Sequence, residues 1–463
     1  MPRRPMPDAI VLVPGILGSE LSRGGRCLWG LSAKAVANAV TSLGGTLDEL
    51  TLAPDGDLVS DDIEAVRVLP DLQLIPYLWK IDGYTAIAEA LHRHFDLEAG
   101  VNYFEFPYDW RRDNRVAAHR LQQASHDWLR DWRRASGNDD ARLIILAHSM
   151  GGLVARYFLE VLEGWRTTKA LVSFGTPYRG SVNALRSLAE GIRKGPFGVV
   201  DLSRLARSLT SLYQLLPIYP CLRTTAGESL RLTERVVSPN LDAERVAAAF
   251  AFHREIREAV TSNQADERYR SRGYRLMPIV GTHQETLQSA TIDEQGALEF
   301  VYRHAGADWK GDGTVPRSSA TPVELGDQGR ETFVATAHAS IQNAPAVLHH
   351  VCEAIAGLDL DLGAEAYRGI EFGAGRVGLK LEDAYWDDEP IAISVDVEPA
   401  ASLDAQVVDA QSDRLVAEVG LPPHKEATRR FELPPLPPGS YRCAIQGRGT
   451  QPVCDVFSVY PAV

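Results

Sequence analysis

Residues 142–157 read RLIILAHSMGGLVARY. Arg142 to Ala147 is a short, nearly unbroken apolar run, the pattern of a strand buried on both faces of a parallel sheet. From Gly152 to Glu163 the period changes, and Leu153, Val154, Tyr157, Phe158 and Val161 recur at helical spacing. Ser149 therefore sits on the turn between strand and helix. Such a turn leaves little room, and small residues two before and two after the serine, Ala147 and Gly151, let the helix return over the strand.

The rest of the chain gives this turn a context. With 463 residues, 45% of them hydrophobic, the sequence is long enough for two or three domains with real cores. A net charge of -13 repels nucleic acid and anionic membrane surfaces, so no nucleic-acid partner is expected. The five cysteines, at 27, 221, 352, 443 and 454, form no CxxC pair and no His/Cys zinc spacing. They read as cytoplasmic thiols, although Cys443 and Cys454 are spaced so that they could face each other on neighbouring strands. The N-terminal apolar run breaks at Pro14-Gly15, too early for a signal-peptide core, and no run reaches the roughly 18 to 20 apolar residues of a membrane span. The expected location is the cytoplasm.

Strands are predicted over Ala9 to Val13, Asn102 to Phe106, Arg142 to Ala147, Ala170 to Phe174, Leu276 to Val280 and Thr332 to Thr336. Helical periodicity over Tyr84 to Phe95, Asn114 to Ala135 and Gly152 to Glu163 separates the first four, which points to a mostly parallel sheet flanked by helices. In such sheets ligands meet the carboxyl ends of the strands. The motifs VPGILGSE, PYDWRRD, HSMGG, GTPYRGS, GDGTVP and AHAS each follow one of the six strands, so six loops should converge on one edge.

Two insertions interrupt this core, at about residues 21–82 and 182–273. Within the second, DLSRLARSLTSLYQLLPIYP sets Leu202, Leu205, Leu209, Leu212, Tyr213 and Leu216 on one helical face. That face suits a cap packed on the protein, or a lid that receives an acyl chain or makes transient contact with a membrane surface. Beyond about residue 362 the pattern becomes period-two alternation broken by Pro/Gly turns, as in Ile391 to Pro399 and Phe431 to Val459. Residues 363–463 thus read as a small β-sandwich, either a packing module or the binding face for a protein partner.

A serine hydroxyl is a poor nucleophile near neutral pH and needs a base and an orienting acid. His148 is adjacent but diverges from Ser149, and is expected to pack beside the turn or hydrogen-bond locally. After a strand–Ser–helix turn the acid and base follow later in the chain, in the order Ser, Asp, His. Asp312, between two glycines in KGDGTVP, and His338, in TFVATAHAS, fit that order. Asp308 competes for the acid role, and His304, His349 or His350 for the base. His349 and His350 point in different directions on one helix, which argues against a metal pair. Oxyanion donors are expected from the backbone N–H groups of Met150 and of Ile16, the latter turned inward by Gly15. No metal or cofactor is required.

VPGILGSEL with Leu28-Trp29, PYDWR at 107–111, AHSMGG at 147–152, FGTPYRGS at 174–181 and GDGTVP at 311–316 together resemble the lecithin:cholesterol acyltransferase family of α/β-hydrolases, over about Ile10 to Ala346. The resemblance implies an α/β-hydrolase domain over residues 1–362, a nucleophile at Ser149, an acid at Asp312, a base at His338 and oxyanion donors at Ile16 and Met150. It also implies a lipid ester as substrate, here expected to be a glycerophospholipid that is hydrolysed through an acyl-enzyme. Transfer of the acyl group to a second alcohol is the alternative, as is a hydrolase core that is inert until a partner activates it. Asp109 and Arg111 of PYDWR read mainly as a structural network, with substrate contact as the other role. Ala147 stands where the family's elbow usually opens with glycine, and the C-terminal sandwich lies outside the family pattern.

Overall fold

The computed structural model describes residues 2–30, 48–54, 56–59, 61–70, 73–75, 79–194, 200–235, 237–325, 331–358, 376–398, 401–410, 412–423, 428–447, 450 and 452–462. Six strands form the central sheet: β1 (Ala9–Val13), β2 (Tyr103–Glu105), β3 (Leu143–His148), β4 (Thr168–Phe174), β5 (Arg275–Gly281) and β6 (Thr332–Val334). Their order is β6-β5-β4-β3-β1-β2, and every neighbouring pair is parallel. All six residues of β3 and all five of β1 are buried, which is why neither strand needs to alternate.

Helices α1 (Thr85–His94), α2 (Asn114–Ser136) and α3 (Met150–Glu160) connect the first strands. The ends of α2 follow from local chemistry. The Asp113 carboxylate accepts the Arg115 N–H at the start, and Gly137 stops the helix with a positive φ of 67°. α3 is buried along its whole length, and each Leu or Phe it buries contributes about 1.5–3 kcal/mol. Among the described residues no helix is long and apolar enough to cross a membrane.

The expected single cap helix is two. α4 (Val182–Ala189) precedes α5 (Ser203–Ser208) and α6 (Thr210–Tyr213), and Leu209 between the last two is extended, with φ -73° and ψ 114°. Ser208 Oγ donates to the Leu205 carbonyl and accepts the N–H of Leu52, while Thr210 Oγ1 donates to Asp57. The Leu52 backbone and the Asp57 side chain of the first insertion thus hold the break. Leu202, Leu205, Leu209, Leu212, Tyr213 and Leu216 are all buried in the main core.

The C-terminal strands form two sheets, consistent with the sandwich. β7 (Arg376–Leu381), β9 (Ile391–Glu398) and β12 (Thr428–Leu433) make one. β8 (Ala384–Trp386), β10 (Leu403–Asp409), β11 (Leu415–Leu421), β13 (Gly439–Gly447) and β14 (Val453–Tyr460) make the other, ordered β8-β14-β13-β10-β11. The expected boundary near 362/363 lies outside the described residues. Cys443 and Cys454 lie on neighbouring strands but do not face each other. Cys443 stands opposite Asp455 and Cys454 opposite Ala444, so the two thiols point to opposite faces of the sheet and form no disulfide with each other.

Candidate active site

Ser149 is the first residue past β3 and the residue before α3, and its φ of 52° and ψ of -123° lie in a region L-residues avoid. Holding it there costs about 1–3 kcal/mol, which the buried strand and helix on either side over-determine. Close approach explains Gly151, where a Cβ would lie 2.3 Å from the Pro14 carbonyl oxygen. The carboxyl ends of three further strands bring the rest of the site together.

His338 follows β6 and opens a 3-10 helix over His338–Asn343; its Nε2 is 2.8 Å from Ser149 Oγ. Its Nδ1 is 2.7 Å from Asp312 Oδ2. A ring that donates from Nδ1 to the carboxylate leaves Nε2 to accept the serine hydroxyl. The other carboxylate oxygen, Oδ1, accepts the N–H groups of Thr314 and Val315 at 2.9 and 2.7 Å, a turn that aims the acid. All three residues are buried. The competing residues lie elsewhere. Asp308 is engaged by Gln288 and Lys310, His304 packs edge-on to Tyr219, His350 bonds Thr332, and His349 is exposed.

Ile16 lies in a turn closed by the Gly18 N–H donating to the Gly15 carbonyl, and Met150 is the first residue of α3. The N–H of a first helical residue has no acceptor within its own helix. The conformational freedom expected of Gly15 falls instead on Leu17, whose φ is 64°. Gly15 is needed because a side chain there would meet Ser149 Cβ at 3.0 Å. Ile16, Ser149 and His338, with Pro177, Ala184 and Leu215, line a small pocket of about 30 Å³. Through Asn183, Thr314 and His338 it adjoins a wider cleft of about 550 Å³ that also reaches the C-terminal sheets.

His148 sits beside the turn, but its partners are distant in sequence. The Gly15 N–H donates to the Tyr84 hydroxyl at 2.8 Å, Tyr84 is 2.9 Å from His148 Nδ1, and His148 Nε2 is 3.1 Å from the His338 carbonyl oxygen. This chain ties the loop after β1 to the loop carrying His338. Burial, reinforced by the neighbouring His338, pushes the His148 pKa down to about 3, so the ring stays neutral. Sequence gave no hint of Tyr84, an unremarkable aromatic before a helix.

Asp109 and Arg111 line neither the small cavity nor the cleft. Arg111 is fully buried, donating to Asp109, to Asp61 and to the Leu50 carbonyl. Burial opposes its charge, but the hydrogen bonds it donates to Asp109 and Asp61, with their negative charges, outweigh burial and raise its pKa. The pair joins the first insertion to the loop after β2.

The lecithin:cholesterol acyltransferase family model matches residues 48–353, well over half of the chain. VPGILGSEL lies ahead of that match. No curated protein matches. Among solved structures, the mature lipase BlEst2 of Bacillus licheniformis aligns over 77% of this chain and 96% of its own at 12% identity and a TM-score of 0.35. The CARDB domain of a Pyrococcus furiosus protein, solved with di-metal ions, aligns over 20% of this chain and 98% of its own at 19% identity and a TM-score of 0.16. At these scores neither likeness bears on function. The parallel sheet, the elbow after its third strand and the span of the family match lead to one assignment: the chain belongs to the lecithin:cholesterol acyltransferase family.

Proposed function

We propose that the protein is a serine-dependent acyl-ester hydrolase acting on lipids, with Ser149 as nucleophile, His338 as base and Asp312 as the acid that orients it. The observation that carries this reading is the unbroken hydrogen-bonded line from Ser149 Oγ through His338 to Asp312, at 2.8 and 2.7 Å, on a strained strand-to-helix turn. His338 takes the hydroxyl proton as Ser149 attacks the ester carbonyl, and Asp312 stabilises the imidazolium that forms. The N–H groups of Met150 and Ile16 receive the oxyanion, each worth about 3–4 kcal/mol of transition-state stabilisation. The alcohol leaves with the proton from His338, and water then releases the acid from the acyl-enzyme.

Family membership supports a lipid ester as the substrate, and a glycerophospholipid is the form proposed. A fluorophosphonate should label the wild-type protein at Ser149 and leave Ser149→Ala unlabelled, and phospholipid micelles should yield free fatty acid. Acyl transfer to an added alcohol in preference to water would reassign the protein as an acyltransferase. Absence of labelling in the intact protein would remove the serine mechanism.

A further inference from the structure

The loops that carry Asp312 and His338 are each fastened to the C-terminal sheets by one buried polar side chain. On the base side the link is Asp82, which is 5% exposed. Its carboxylate accepts two hydrogen bonds from Arg442 of β13, at 2.7 Å from Nη2 and 3.4 Å from Nε. Its backbone N–H donates to the carbonyl of Ala339, the residue after His338. The same 3-10 helix is pinned again at its far end, where Gln342 and Asn343 donate to the carbonyls of Asp82 and Gly83. Ala339 also packs on Val456 of β14.

On the acid side the link is Gln284, 4% exposed, three residues past β5. Its main chain exchanges both hydrogen bonds with Gly311, the residue before Asp312. Its side-chain oxygen accepts the N–H of Leu379 in β7 at 2.9 Å, and its side-chain nitrogen lies 3.5 Å from the Val377 carbonyl. Thr286 completes the grip by accepting the N–H of Gly313. The two loops that must meet over Ser149 thus share a support that neither the central sheet nor its helices supply.

We propose that Arg442 and Gln284 are positioning residues for the reaction, so that the C-terminal sheets form part of the catalytic framework and are not a passive appendage. The inference rests on the serine mechanism proposed above. Arg442 fixes Asp82 and through it the backbone next to His338. Gln284 fixes the backbone next to Asp312. A displacement of about 1 Å between such groups is enough to lower a rate about 100-fold.

The test uses the full-length chain and compares Arg442→Ala, Arg442→Lys and Gln284→Ala with wild type, with Asp413→Asn as a control. Asp413 is the exposed second partner of Arg442, so its loss should leave the rate of labelling unchanged. The readouts are the maximal rate and half-saturating concentration for fluorophosphonate labelling of Ser149, measured well below each variant's thermal midpoint, with kcat and KM on a soluble ester. Arg442→Ala and Gln284→Ala should each lower the maximal rate and kcat by about 10- to 100-fold with little change in KM. Arg442→Lys should recover part of the loss. Lowered thermal midpoints with the maximal rate and kcat unchanged would reduce both residues to a stabilising role and overturn the inference. Should Arg442→Ala fail to fold, Arg442→Gln and Gln284→Ala decide by the same readouts. Failure of the wild-type protein to label would instead overturn the serine mechanism, and this inference with it.

Discussion

His338 meets Asp312 twice: its backbone N–H donates to the Asp312 carbonyl oxygen at 2.8 Å, and its Nδ1 lies 2.7 Å from Oδ2. The main-chain bond holds the two loops together whatever the side chain at 312. Asp312→Asn should therefore fold, with the retained oxygen still accepting from Thr314 and Val315, while the amide turned toward His338 imposes the wrong tautomer. Ester turnover is expected to fall about 10⁴-fold with the thermal midpoint nearly unchanged. Steady-state kinetics and a melting curve check it, and a loss below tenfold would rule out the assigned role.

Gly175 lies behind the same pair with a φ of 56°. A Cβ there would stand 2.8 Å from Asp312 Oδ2 and 3.0 Å from His338 Nδ1. Gly175→Ala should cost about 1–2 kcal/mol of stability for the backbone conformation and lower kcat about 100-fold by parting the acid from the base. Urea titration and ester kinetics on one preparation separate the two effects.

A buried charge cluster supports α3 away from the elbow. Arg156 donates to Glu160 and Glu324 and to the Tyr274 hydroxyl, and Glu160 also accepts from Tyr269 and Tyr274. Arg156→Met leaves Glu160 buried without its cation, and the expected loss is about 3–5 kcal/mol in a denaturant titration. A loss under 1 kcal/mol would mean that Tyr269, Tyr274 and Asn263 together satisfy the carboxylate.

His253 on α7 (Ala243–Ala265) is buried, with Nε2 2.7 Å from the Gln214 carbonyl oxygen. Burial lowers its pKa from 6.5 to about 4, outweighing the bond to Gln214. Between these values the unfolded chain holds a proton that the folded chain lacks, so stability falls as pH falls from about 6.5 toward 4. His253→Gln should flatten that dependence by up to about 1.4 kcal/mol per pH unit. Melting curves at several pH values in this window measure it, and an unchanged slope would show that the ring titrates normally.

The central architecture was legible because its signals are local. The apolar run of β3, the small residues around Ser149 and the return of helical spacing lie within sixteen residues, and the strands at 9–13 and 332–334 stand where the pattern puts them. Pairing Asp312 and His338 with Ser149 followed from chain order and from the glycines that tighten the turn at 312. What could not be read depends on partners far away in sequence. The break at Leu209 is held by Leu52 and Asp57, the role of His148 needs Tyr84, and the tie at Asp82 needs Arg442, 360 residues later. Nothing within a window of sequence marks such residues.

The space beside Ser149 is about 30 Å³, room for no more than a few water molecules. A fatty acyl group is many times larger, so under the proposed mechanism an ester would bring its carbonyl alone into this narrow space and lay its bulk along the adjoining cleft.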